Sequence, residues 1–123
     1  MHLLIVSATI FELAPLQTYL SEYFKEAAGG FLQKGLLKIR LLYAGVGMTA
    51  TAFSLAKALT ERKYDLVINA GIAGAFPNGS LQIGDVVSVG SERFGDLGVE
   101  DADQRFTDVH ELQLTSGNRF PFH

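Results

Sequence analysis

Apolar positions in this chain form a few short unbroken runs, separated by stretches with helical spacing. Residues 3–6 (LLIV) are continuously apolar, as in a strand buried on both faces. Residues 7–9 (SAT) leave that run. Apolar residues then recur at Leu13, Leu16, Leu20, Tyr23, Phe24 and Ala27, a spacing that predicts a helix. Pro15 is best tolerated in a first turn, which sets the helix start at about residues 11–13, and Gly29–Gly30 end it. Residues 31–33 and 36–43, on either side of Lys34–Gly35, predict a hairpin. A second helix carries Met48, Ala52, Leu55, Ala56 and Leu59 on one face and ends in the polar cluster 60–63. Residues 65–68, reaching Asn69, predict a further strand. Pro77–Asn78–Gly79 predicts a turn, and Ile83–Gly84–Asp85 leads into a strand over 86–89. Beyond Gly95 the pattern weakens: 95–103 is acidic, and 107–123 is polar with scattered Phe.

Strand, helix, hairpin, helix, strand, strand is the order of an α/β domain with a mostly parallel sheet. No internal repeat, linker or low-complexity segment interrupts it. No covering helix follows the last predicted strand. An uncovered strand is a liability, so the chain reads as half of a larger unit. The 123 residues are 48% hydrophobic and 19% charged, the balance of one ordinary soluble domain. Thirteen acidic and ten basic residues, net −3, are mixed along the chain without a basic stripe, which argues against a nucleic-acid partner. The absence of cysteine excludes disulfides and thiolate metal sites and fits a reducing compartment. No apolar run approaches the roughly 20 residues a membrane span needs. The opening MHLLIVSATIFE lacks a basic leader and reads as a first strand, not a signal peptide, so a cytoplasmic location is expected.

Candidate chemistry concentrates where strands empty into glycine. Residues 67–76 (VINAGIAGAF) place Ala70, Gly71, Ile72, Ala73 and Gly74 after a strand, at the end where open α/β sheets bind ligands. A tight turn between buried elements explains the same residues equally well. Residues 45–50 (GVGMTA) formally match the G-x-G-x-x-G/A dinucleotide fingerprint. That motif needs an acidic residue at the end of the following strand, and Asp65 precedes that strand instead. NAD binding therefore stands as a minor alternative, beside a loop holding an anion or sugar, or glycines needed for close helix packing. Glu12 sits at the exit of the first strand. It fits a tuned catalytic carboxylate, a first-turn acid favoured by the helix dipole, or a capping-box partner of Thr9, although the last would put Pro15 inside the helix. Asp85 reads as a turn residue, and Glu92, Arg93, Asp96, Glu100 and Asp101 as a solvated loop. His2, His110 and His123 lack metal-ligand spacing, and no G-x-S-x-G elbow is present.

Taken together, SATIFEL at 7–13, AGVGMTAT at 44–51, NAGIAGAF at 69–76 and IGDVV at 83–87 resemble, in order and spacing, the nucleoside phosphorylase and nucleosidase family. ERFGDLGVED at 92–101 most resembles its futalosine hydrolase branch, which serves an alternative menaquinone route. The likeness covers about residues 1–101. It implies a three-layer α/β/α sandwich around a mixed, mostly parallel, partly barrel-like sheet, and hydrolysis of the N-glycosidic bond of a purine nucleoside without cofactor or metal. It implies that Glu12 activates the water. It sets Ala70, Gly71, Ile72, Ala73 and Gly74 beside base and ribose, and Gly45, Val46, Gly47 and Met48 near the ribose and the water. The phosphorylase branch carries a basic residue where this chain has Asn69, a Ser or Thr at Ile72, and an Arg within 7–11; without a cation for phosphate, water is the better nucleophile. Ile72 also departs from the Ser of methylthioadenosine nucleosidases. In the family, the acid that protonates the purine and the carboxylate that grips the ribose lie in the second half of a chain nearly twice as long. Residues 1–123 are therefore expected to be the N-terminal part of one such domain, inactive alone or completed by a second polypeptide. Assembly as a homo-oligomer, most often a dimer, is also implied, with Phe106, Phe120 and Phe122 as contacts unless they simply pack internally. Alternatives are a methylthioadenosine/S-adenosylhomocysteine-type nucleosidase, a purine nucleoside phosphorylase and a non-catalytic nucleotide-binding module.

Overall fold

The apolar run at the start of the chain becomes the middle of a sheet. In a computed structural model that describes residues 1–77, 79–92 and 95–116, β1 (His2–Ser7) is flanked on both sides. It pairs in parallel with β4 (Leu37–Tyr43), from His2 opposite Lys38 to Ser7 opposite Tyr43, and with β5 (Leu66–Asn69), from Leu3 opposite Leu66 to Val6 opposite Asn69. The order is β2-β3-β4-β1-β5, with β2 (Lys25–Ala27) and β3 (Phe31–Lys34) joined antiparallel beyond β4. Only β3 runs against the common direction, so the sheet is mixed but mostly parallel.

Successive β1 side chains point to opposite faces. Leu3 and Ile5 pack with Ile39 and with Leu13 and Leu20 of α1 (Ile10–Tyr23). Leu4 and Val6 pack with Ala44 and with Ala58 of α2 (Met48–Glu61). One helix thus covers each face, giving the three α/β/α layers. Leu4 is fully buried (0% exposed). Leu4→Ala is expected to cost roughly 2–5 kcal/mol, read as a lower urea midpoint with an unchanged slope.

Several expectations are corrected. Helix α1 begins at Ile10, ahead of 11–13, with Thr9 as its N-cap and Pro15 inside it. Pro15 is exposed and removes one intrahelical donor, a loss the capped and packed helix absorbs. The helix stops at Tyr23, where the Phe24 N–H bonds Leu20 O at 2.9 Å, and does not run on to Ala27. Lys25–Ala27 is instead strand β2; Gly29 and Gly30, at φ 78° and 75°, turn the chain into β3. Phe24 satisfied the helical spacing because it packs beneath α1 from just past its end. In the next hairpin Lys34 faces Leu37, so the turn residues are Gly35 (φ 57°) and Leu36, one place later than expected. Residues 86–89 form no strand: Val86 is 97% exposed, and Val87 and Val89 are exposed too. Their β-branched side chains supply propensity, but a strand needs a partner edge, and none pairs with them among the described residues.

The chain divides into two units, Met1–Gly79 and Ser80–His123. The second holds a short antiparallel pair, β6 (Gly98–Glu100) and β7 (Phe106–Asp108), inside a stretch read as loop; three-residue strands are too short to show a period. The Gly79 N–H bonds Phe76 O at 3.0 Å across the expected turn, although Asn78 itself lies outside the described residues. So do Arg93 of the acidic loop, and Phe120, Phe122 and His123. Among the described residues no helix is long and apolar enough to cross a membrane.

Candidate functional site

Because β1, β4 and β5 are parallel, the segments leaving them emerge along one edge of the sheet. The ladder continues past the strands and holds those segments side by side. Ala44 N–H donates to Ser7 O at 2.8 Å, Gly45 N–H to Ala8 O at 3.0 Å, and Ala70 N–H to Val6 O at 2.8 Å. This is the carboxyl-end edge at which ligands meet open α/β sheets.

Glu12 lies one turn into α1, above this edge. Its Oε2 accepts the Thr9 N–H at 2.7 Å and the Thr9 hydroxyl at 3.1 Å. The capping box therefore forms, and Pro15 in the same helix does not prevent it. Its Oε1 reaches across to the third segment and accepts the Ile72 N–H at 3.3 Å. Gly71 lies so close that a methyl group in place of its hydrogen would stand 2.8 Å from Oε1. One half-buried carboxylate thus joins two segments sixty residues apart. The Thr9 N–H does most to hold it below the usual glutamate range. The Ile72 N–H, the Thr9 hydroxyl and the Ala8 N–H add to this, while burial opposes them. Glu12 is therefore anionic at neutral pH.

The other expected site residues divide. Gly71, Ala73 and Gly74 are exposed, and the Ile72 side chain is 84% exposed. Ala70 is half-buried and packs against the Leu3–Ile5 core on the α1 face. Gly45 is at φ 92°, and a Cβ there would lie 3.0 Å from the Ala50 Cβ, so close helix packing requires this glycine. Gly47, at φ 93°, caps α2, while Val46 and Met48 project outward. Ser54 Oγ and Thr51 Oγ1 tie this segment to α2 by donating to Ala44 O at 2.9 Å and Gly45 O at 3.4 Å. Among the described residues no group of three His, Asp or Glu side chains is placed to hold a metal ion. Two further residues shape the site, and sequence reasoning assigned neither of them to it. Thr9 was visible only through its spacing from Glu12. Ser7, 1% exposed, donates from Oγ to Thr9 O at 2.8 Å, and its serine at a strand exit gave no comparable signal.

Residues 2–115 match the phosphorylase superfamily, and the chain belongs to that family of nucleoside phosphorylases and nucleosidases. Among curated relatives, a futalosine hydrolase of Streptomyces coelicolor is 40% identical over 90 residues, covering 66% of this chain and 36% of the relative. A 5′-methylthioadenosine/S-adenosylhomocysteine nucleosidase of Glaesserella parasuis is 34% identical over 99 residues, covering 77% of this chain and 43% of the relative. The chain spans about two fifths of the length of these relatives. No solved structure matches it.

Proposed function

We propose that this chain supplies the water-orienting part of a purine nucleoside N-glycosidase, and that the nucleoside is futalosine, cleaved to dehypoxanthine futalosine and hypoxanthine in menaquinone synthesis in the cytoplasm. The observation that carries the reading is the Glu12 carboxylate, held anionic at the β1 exit and turned toward Gly71 and Ile72. Cleavage breaks the bond between the anomeric carbon and the base nitrogen. The electron pair leaves with the base, the ribosyl group becomes oxocarbenium-like, and water adds to the anomeric carbon while losing a proton. A carboxylate beside the sugar stabilises that positive charge and fixes the water. A lowered basicity suits this role, since a dissociative transition state asks for a positioned anion more than for a strong base.

The departing base also needs a proton, which Glu12 on the water side does not supply. The family resemblance assigns that donor, and the carboxylate gripping the ribose hydroxyls, to the part of the domain that relatives carry beyond these residues. In this reading residues 1–123 are the N-terminal part of one domain, completed by further chain or by a second polypeptide and assembled as an oligomer, a dimer in the simplest case. Gly45, Val46, Gly47 and Met48 face the ribose and water, and Ala70, Gly71, Ile72, Ala73 and Gly74 face base and ribose. Ile72 and the 92–101 segment favour futalosine over methylthioadenosine.

Losing general-acid assistance typically removes about 10²–10⁴ in rate, so the 123 residues alone are expected to show little or no hydrolysis. The test is product release followed by chromatography, using the 123-residue chain and the product of the whole reading frame. Hypoxanthine release from futalosine by the latter alone supports the proposal. Adenine release from methylthioadenosine moves the assignment to the other nucleosidase. Turnover by a monodisperse 123-residue sample overturns the division of labour, and binding without turnover by the whole product leaves a non-catalytic nucleoside-binding module.

A further inference from the structure

The inference rests on Glu12 as the water-orienting carboxylate and concerns what sets its direction. An N-cap threonine ordinarily serves its helix by accepting a backbone N–H through its hydroxyl oxygen. Thr9 does more. Its N–H and its hydroxyl both donate to the same oxygen, Glu12 Oε2, at 2.7 and 3.1 Å. Thr9 is in turn fixed from below, where buried Ser7 donates to its carbonyl at 2.8 Å. The other oxygen, Oε1, meets a longer 3.3 Å donation from Ile72, beside the bare backbone of Gly71. We infer that Thr9 is a positioning residue: it grips Oε2 through a two-donor fork anchored on Ser7, and so presents Oε1 as the oxygen that faces water and sugar.

The fork explains why one carboxylate can cap a helix and serve a reaction. Capping occupies Oε2 and leaves lone-pair capacity on Oε1. It also fixes the torsions of a side chain that would otherwise sample several rotamers, and such pre-alignment is where positioned groups gain most of their rate advantage. Without the hydroxyl the fork is reduced to the Thr9 amide, and the carboxylate is less restrained from rotating away from Ile72.

The test compares Thr9→Ser, which keeps the hydroxyl, with Thr9→Val, which keeps the shape and removes it. The 123-residue chain is labelled with glutamate carrying 13C at the carboxyl carbon, and Glu12→Gln assigns the signal. Thr9→Ser is expected to titrate like the parent and to keep the Ile72 amide shift. Thr9→Val is expected to move the Glu12 midpoint upward, toward ordinary glutamate, and to shift the Ile72 amide, with helix content retained by circular dichroism. Should Thr9→Val fail to fold, Thr9→Ala carries the same comparison. If removing the hydroxyl lowers stability but leaves both signals where Thr9→Ser leaves them, Thr9 is a helix cap and nothing more. The titration uses no nucleoside, so it stands apart from the functional reading. In the product of the whole reading frame, Thr9→Val is expected to lower kcat by up to about 10²-fold with KM little changed, and to move the acid limb of kcat upward in pH. Moved NMR signals with unchanged turnover would uphold the fork and overturn Glu12 as the catalytic carboxylate.

Discussion

Glu12→Gln is expected to reduce hydrolysis by the whole reading-frame product by roughly 10²–10⁴-fold while nucleoside binding persists, measured as product release and as ligand-induced stabilisation. Glutamine has the same shape but differs in two physical respects. It carries no negative charge opposite a developing oxocarbenium ion. It also has one carbonyl oxygen where the carboxylate has two acceptors, and here donors converge from two sides, Thr9 on Oε2 and Ile72 on Oε1. Whichever way the amide is turned, its NH₂ meets an N–H donor. The start of α1 also loses an anion that its dipole favours, so the melting temperature is expected to fall. The pH dependence follows from the depressed folded-state pKa of Glu12. A depressed carboxylate contributes stability that is fully present above its unfolded pKa and is lost as pH falls through the folded one. Parent and Glu12→Gln should therefore differ most in stability at neutral pH and converge in acid. The Glu12 limb of the parent kcat profile should lie below the ordinary glutamate range. A Glu12→Gln enzyme with parental turnover would leave Glu12 as a helix cap only.

How much of this was legible in the sequence depended on whether the controlling interaction was local. Residues 3–6 announced a strand buried on both faces, and β1 is that strand, because an unbroken apolar run in an α/β context has few other uses. Helix α2, ending at Glu61 within the polar cluster 60–63, and β5 were equally direct. The failures came where one pattern had two readings. Ala27 continued the α1 period, yet the chain left the helix at Phe24 to build an edge strand, a choice made by pairing with β3. Residues 86–89 offered β-branched side chains, but pairing partners decide strands. Thr9 and Glu12 had capping-box spacing, and Pro15 argued against it; on an exposed face one missing donor is outweighed by a charge-assisted cap and by Leu13 and Leu20 packing into the core. The Glu12 contact with Ile72 had no local sequence signal, and only the family resemblance set the two residues in one site. It spans sixty residues and exists because β1 and β5 are parallel neighbours whose exits coincide.

Gly71→Ala is expected to fold and, on the proposed role of Glu12, to lose hydrolysis on the order of 10²-fold, because it displaces that carboxylate without disturbing the scaffold. Gly71 is not among the glycines with positive φ, so alanine meets no backbone strain there, and the smaller entropy of the unfolded chain favours the variant slightly. The obstacle is steric and specific. The new Cβ would stand 2.8 Å from Glu12 Oε1 and 3.5 Å from Glu12 Cδ, closer than a methyl group and an oxygen tolerate. The carboxylate is the movable partner. It cannot shift freely, because Thr9 holds its other oxygen, so it must rotate away from Ile72, weaken the Thr9 fork, or both. Gly74 in the same segment supplies the contrast: it too lacks a positive φ, and among the described residues no atom beyond its chain neighbours lies within 4 Å of a Cβ built there. Gly74→Ala should therefore leave the Glu12 carboxyl signal and its titration in place, while Gly71→Ala moves both, with the two variants melting within a few degrees of each other. A Gly71→Ala protein whose Glu12 signal matches the parent would show that the carboxylate is not lodged against this glycine, and the site geometry built on that contact would fail with it.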